Sequence, residues 1–191
     1  MTAIRSFIAL DLDANVQSKL GNAIRQIKPA SGNNIRWVPE KNIHITLKFL
    51  GDTSPENLEI LKNIVTAEAS QVHPFDVKIG NLGAFPSLRK PRVVWIGLDA
   101  PPELHTLQYA IDRETNRLGY PPEDRPFSPH LTLGRISQHA LPEEIRRIGD
   151  FLATSQIRVD AVASIRMVVL FRSDLLPGGP VYTPLHIANL K

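Results

Sequence analysis

Two short stretches share one frame: Asn42-Ile43-His44-Ile45-Thr46-Leu47-Lys48-Phe49-Leu50 and Pro129-His130-Leu131-Thr132-Leu133-Gly134-Arg135. In each, apolar residues alternate with polar ones, Ile43, Ile45, Leu47 and Phe49 against His44, Thr46 and Lys48, then Leu131 and Leu133 against His130 and Thr132. A period of two predicts strands with one buried face, so each His points the same way as its Thr, about 7 Å away along the strand. Two such strands, each offering an imidazole and a hydroxyl, restrict the chain to folds built from a duplicated unit.

The flanking patterns repeat as well. Residues 4–10 read as a strand, and Leu12-Asp13 hands over to a helix from about Asn15 to Lys28. A loop at 29–34 and an extended piece, Arg36-Trp37-Val38, lead to the first His strand. Ser54-Pro55-Glu56 predicts an N-cap with Pro at the first helical position, opening a helix to about Ser70. A strand at 75–79 comes next, then a long surface connection at 80–91, rich in Gly and Pro. The second part runs through a strand at 92–98, a helix opened by Pro101-Pro102 and stopped at Gly119, a proline-rich loop at 121–129 and the second His strand. A helix from Pro142 to about Thr154 and strands at 157–159, 164–171 and 181–187 complete it.

His44 and His130 are 86 positions apart (130 − 44), and so are Leu12-Asp13 and Leu98-Asp99 (98 − 12). Two copies are too few for a solenoid. The expected architecture is therefore α+β, with two pseudo-symmetric lobes around a central groove, each a mainly antiparallel sheet with outer helices. The whole of 1–191 is expected to form a single bilobal domain, its repeat units at approximately 4–80 and 92–171. The two His strands should lie near the pseudo-two-fold axis with their polar faces lining the groove.

The chain contains no cysteine, which excludes disulfides, thiolate nucleophiles and Cys-ligated metal sites. With 42% hydrophobic and 21% charged residues, it has material for a core. No apolar h-region behind a basic stretch, no run of about 18 apolar residues and no lipidation signature is found, so the cytoplasm is the expected compartment, with no membrane association. The formal charge of +3 suits a phosphate-bearing ligand but is far from the charge stripe of a duplex binder.

Two imidazoles facing one groove suit a reaction that removes one proton while delivering another, because the unperturbed His pKa of about 6.5 lets one copy be neutral and the other charged. Neighbouring hydroxyls can donate hydrogen bonds to an anion. Together these are the parts for in-line attack on a phosphodiester. Neither frame contains a carboxylate or the helical His pair of a zinc protease, so no metal or other cofactor is expected. A lone strand His is usually structural, but the same polar pair recurring in register is hard to obtain from packing alone.

The frames His-Ile-Thr-Leu-Lys-Phe-Leu-Gly, Gly-Ala-Phe-Pro-Ser with Pro-Arg-Val-Val-Trp, and Arg-Pro-Phe-Ser-Pro-His-Leu-Thr-Leu-Gly-Arg resemble the RNA 2',3'-cyclic phosphodiesterases, also called 2'-5' RNA ligases, of the two-histidine phosphoesterase superfamily. The resemblance spans essentially the whole chain. It implies a metal-independent enzyme that hydrolyses 2',3'-cyclic phosphate ends of RNA or nucleotides to 2'-phosphates, with His44 as general acid and His130 as general base. It also implies phosphate contacts from Thr46, Thr132 and Arg135. By parity with His130, Arg135 should face the core, so a break or bulge at Gly134 is expected to turn it toward the phosphate.

Phe7, Trp37 and Phe127 are candidates for stacking on a base, while Phe49 and Trp95 are expected in the core. Arg5, Arg36, Lys48, Arg89, Lys90, Arg92 and Arg125 could form a basic rim. Among them Lys48 shares the parity of His44 and Thr46 and is the foremost candidate for an RNA contact. His73, His105, His139 and His186 read as structural. The partner is then an RNA or nucleotide with a cyclic end, with no obligate protein partner and a monomeric enzyme. The alternatives are ATP-independent 2'-5' RNA ligation by the same site, and a nucleotide- or RNA-binding module without turnover.

Overall fold

A computed structural model describes residues 3–177 and 179–191. Among the described residues, nine strands and four helices succeed one another as β1 (Ile4–Leu10), α1 (Ala14–Ser31), β2 (Ile35–Trp37), β3 (Ile45–Thr53), α2 (Pro55–Ala69), β4 (Phe75–Phe85), β5 (Val93–Asp99), α3 (Pro102–Arg117), β6 (His130–Ile136), α4 (Pro142–Thr154), β7 (Val162–Ile165), β8 (Met167–Leu176) and β9 (Gly179–Asn189), with a 3-10 turn at Glu40–Asn42. No helix of these residues is long and apolar enough to cross a membrane.

Local chemistry explains most boundaries. The Asp13 side chain accepts a hydrogen bond from Val16 N at 2.9 Å, and Ser54 accepts one from Asn57 N at 3.2 Å, each satisfying an N–H that the first helical turn leaves over. Val16, Leu20, Ile24 and Ile27 form the buried stripe of α1. That helix continues past Lys28 through Pro29 to Ser31 and ends at Gly32, whose φ is 54°. In this terminal turn Pro29 forfeits one hydrogen bond to the Arg25 carbonyl, a loss the packed stripe outweighs.

Three expectations of the sequence are corrected. The strand expected at 157–159 is no strand but an isolated bridge between Arg158 and Asn81. The connection at 80–91 is strand as far as Phe85. Gly83 is what lets β4 run on beside β5, since a Cβ there would lie 2.3 Å from the Trp95 ring. The single strand at 164–171 is two, broken at Arg166, with β7 pairing to β4 and β8 pairing to β1.

All strand pairs are antiparallel, in the order β7-β4-β5-β6-β3-β1-β8-β9. The two halves of this sheet meet through one residue pair, Ile45 with Leu131. Beyond it, β2 takes over the same edge of β6 from Ile136 to Gly134, so the halves diverge around a groove. The repeats do not each supply one half. From the first repeat, β4 joins β5 and β6, while β8 from the second joins β1 and β3. The helices are exchanged in the same way: α3 packs on β3 and α2, whereas α1 packs on α4, which covers β4. Ile8, Leu10, Ile45, Leu131 and Leu133 bury the face of the central strands opposite the groove.

Candidate active site

The pair Ile45 and Leu131 occupies equivalent positions of the two repeats (131 − 45 = 86), as a pair on a pseudo-two-fold axis must. Continuing the antiparallel register one residue each way sets His44 opposite Thr132 and Thr46 opposite His130, all on the face away from the core. Opposed residues in such a sheet have Cβ atoms about 4.5–5.5 Å apart, and diagonal neighbours, here the two histidines, about 7–8 Å apart. That spacing admits one phosphate between the imidazoles.

Both rings are held in the same way. His44 Nδ1 lies 2.8 Å from the Asn42 carbonyl oxygen and His130 Nδ1 lies 2.7 Å from that of Ser128, again equivalent positions. A carbonyl only accepts, so each Nδ1 carries the proton and each Nε2 of the neutral ring is left with its lone pair. The surroundings differ. His44 stacks on Phe7 (4.8 Å, 26°), meets Tyr182 edge-on (5.4 Å) and lies near Phe171 (6.3 Å). Some of its surface still opens to the groove, but with its ring walled in this way burial lowers its pKa to about 4, with a further small push from His130. His44 is therefore neutral in the free protein at pH 7. His130 instead meets Phe85 edge-on at 4.9 Å and has Trp95 at 6.2 Å.

Symmetric bulges set what lies beyond each Thr. On β6, Trp95 pairs with Thr132 and Val94 with Gly134, leaving Leu133 as an extra residue. On β3, Ala9 pairs with Thr46 and Ile8 with Lys48, leaving Leu47 extra (133 − 47 = 86). Each bulge reverses the parity of the residues after it. Arg135 thus turns to the groove, as the break expected at Gly134 requires. Gly134 itself is wedged under β2, where a Cβ would lie 2.6 Å from Ile35 Cγ2.

The same reversal corrects Lys48. It faces the core, 2% exposed, with its Nζ 2.5 Å from Asp112 Oδ1 of α3 and 2.5 Å from the Pro121 carbonyl oxygen, and does not reach the groove. Phe49, expected inside, is 56% exposed on the groove wall.

A cavity of about 420 Å³ opens over this face; His44, Thr46, Thr132 and Arg135 line it, whereas His130 is not among its lining residues. Of the other candidates, Trp37 and Phe7 reach it, but Phe7 is 4% exposed, clasped between His44 and Phe171 (5.2 Å). It supports an imidazole and offers no open face to a base. Phe127 is absent from the lining and packs against His105 of α3 at 5.9 Å. Trp95 is half-buried beside His130 and not deep in the core. Of the basic rim, Arg5 and Arg36 line the cavity, whereas Arg89, Lys90, Arg92 and Arg125 do not. Burial pushes the Tyr182 phenol up while Arg135, Arg36 and Arg5, which line the same cavity, pull it down. Tyr182, Phe171 and Phe85 were not foreseen as site residues, because strands distant in sequence bring them in and no local pattern signals it. Among the described residues no three His, Asp or Glu side chains cluster as metal ligands would.

The family model described as LigT-like phosphoesterase matches the chain twice in tandem, over residues 10–95 and 96–182. An RNA 2',3'-cyclic phosphodiesterase of Methanothermobacter thermautotrophicus is 33% identical over 98% of this chain and 99% of its own length. One of Archaeoglobus fulgidus is 31% identical over 96% and 99%. Among solved structures, a protein of Thermus thermophilus superposes with a TM-score of 0.82 at 27% identity, covering 97% of each chain. E. coli LigT complexed with 3'-AMP superposes with a TM-score of 0.77 at 27% identity, covering 99% of each.

Proposed function

Because the chain belongs to the LigT-like phosphoesterase family, we propose that it hydrolyses 2',3'-cyclic phosphates at RNA or nucleotide ends to 2'-phosphates, by paired-histidine acid and base catalysis without a metal. The observation that carries this reading is the square of two imidazoles and two threonine hydroxyls on one exposed sheet face, with both Nδ1 atoms tied to carbonyls. A ligand-binding module needs donors there but has no use for two opposed titrating groups.

In this reading His130 Nε2 takes a proton from water as its oxygen attacks phosphorus in line with O3'. Thr46, Thr132 and Arg135 donate hydrogen bonds to the non-bridging oxygens, where negative charge builds. The bond from phosphorus to O3' breaks and His44 Nε2 delivers the proton that O3' needs. The product carries a 2'-phosphate and a free 3'-hydroxyl. His44, neutral in the free protein, must take up that proton as the anionic phosphate arrives beside it. All these groups come from one chain, so we take the enzyme to act as a monomer, and its RNA substrates assign it to the cytoplasm.

A 2',3'-cyclic mononucleotide incubated with the protein in EDTA should yield the 2'-nucleotide. His44→Ala and His130→Ala should each cost about 10²–10⁴-fold in rate, the usual worth of a positioned acid or base. With sulfur in place of O3', a leaving group that needs no proton, the His44→Ala deficit should largely vanish and that of His130→Ala should persist. The opposite pattern would exchange the two roles. Binding without any 2'-product would leave only the module.

A further inference from the structure

A second cavity, of about 670 Å³, lies beneath the β8–β9 hairpin on the far side of His44. It adjoins the catalytic cleft, since His44, Asn42, Pro180 and Tyr182 line both. Its volume falls within the range of about 300–1,000 Å³ in which small ligands are enclosed. Neither threonine and none of Arg5, Arg36 and Arg135 borders it, so it is not a second seat for the reacting phosphate.

Its walls combine three chemistries. The hairpin contributes Phe171, Leu176, Val181 and Tyr182, of which Leu176 and Val181 remain 54% and 47% exposed, an apolar surface uncovered at the mouth of the site. Lys41 supplies one cation, exposed at the rim. Asp11 supplies one carboxylate, whose Oδ1 accepts from Leu12 N at 2.9 Å and from Gln17 Nε2 at 3.5 Å, while its second oxygen has no protein donor among the described residues. Burial raises the pKa of this carboxyl. The hairpin is held over the cavity by Asn42, whose Nδ2 donates to the Pro180 carbonyl at 2.9 Å, so the cavity is a built part of the site and not a gap beside a loose loop.

An apolar wall, a single cation and a single acceptor are the needs of one nucleotide within a strand: a base to stack, a phosphodiester to neutralise and a base edge to read. We propose that this cavity binds the nucleotide on the 5' side of the cyclic end, stacking its base on the hairpin, with Lys41 toward the linking phosphodiester and Asp11 accepting from an exocyclic amino group. Adenine, cytosine and guanine offer that group and uracil does not. The inference rests on the function proposed above and deepens it: the preferred substrate is an oligonucleotide end, not a mononucleotide.

The test compares a 2',3'-cyclic mononucleotide with dinucleotides carrying each of the four bases at the 5' position. It measures kcat/KM for these and, by calorimetry, the affinity of the corresponding 2'-phosphate products. A 5' nucleotide with an amino-bearing base should improve both by about tenfold, within what one stacked base contributes in single-strand binders. Val181→Ser should shrink that gain, and Asp11→Asn should abolish the preference over uracil. Both variants should turn over the mononucleotide within about twofold of the parent, too small a change to reflect a lost catalytic group. Equal kcat/KM and equal affinity for mononucleotide and dinucleotides would overturn the subsite while leaving the phosphodiesterase intact. Failure to hydrolyse any of them would sink the proposed function instead, and the affinity comparison would then decide the subsite by itself.

Discussion

His44 is the histidine whose protonation is most strongly set by its neighbours. Phe7, Phe171 and Tyr182 take the ring out of water, and an uncharged imidazole results, with a pKa of about 4 against the ordinary 6.5. The unfolded chain restores the ordinary value, so between pH 6.5 and 4 the unfolded state binds a proton that the folded state refuses. Stability therefore rises with pH through that window, and this contribution is lost as pH falls through it. The His44→Gln variant should lack that part of the acid sensitivity, which denaturant unfolding at pH 4.5 and 7 would measure. By NMR, the His44 ring of the free protein should titrate near pH 4, and an ordinary midpoint near 6.5 would contradict the role assigned to its aromatic wall. The identity of the two histidines and two threonines was legible in the sequence because period-two alternation is local. The difference between the two rings was not, since Phe171 and Tyr182 arrive from strands more than 120 positions away in the chain (171 − 44 = 127).

On the scale of single elements, the bulges at Leu47 and Leu133 decide which side chains the strands offer to the groove. Strict alternation carried the parity correctly through Leu47 and Leu133 and failed at the next residue. For Arg135 the cost of burying a charge beside Gly134 signalled the break; Lys48 gave no such signal, because its partner Asp112 lies on a helix 64 positions on. With Lys48 2% exposed and Asp112 21% exposed, this ion pair pins β3 to α3. Removing the carboxylate strands a buried ammonium, so Asp112→Ala should lower unfolding free energy by about 3–5 kcal/mol. Lys48→Met, which fills the space without a charge, should cost much less. Neither change should alter the salt dependence of RNA binding, as loss of a groove-lining lysine would. Gly80 and Gly83 misled in the opposite direction: they resemble loop residues, yet they serve close strand approach, Gly83 making room for the indole of Trp95.

For the molecule as a whole, the duplication legible in a spacing of 86 residues corresponds to two interleaved halves. A sequence repeat states that two units are alike and does not state where each unit's last strand pairs. Here β4 and β8 each cross to the other half, with the second crossing made at Arg166. Neither repeat by itself can complete a four-stranded half or cover it with helices. Fragments 1–91 and 92–191 should therefore show no cooperative unfolding transition alone, whereas the intact chain should melt in one step when monitored by circular dichroism. A fragment that melts cooperatively by itself would contradict the interleaving. The equivalent carbonyl tethers of the two imidazoles, placed alike about the Ile45–Leu131 pair, also bear on regiochemistry. Each ring leaves the same nitrogen free, so under the proposed mechanism that feature by itself does not distinguish one ribose oxygen from the other. A sugar seated the opposite way round would set the other ribose oxygen in line and give the isomeric phosphate. The isomer released is then chosen by the unlike walls that orient the nucleoside, and product selectivity could be rewritten there without touching either histidine.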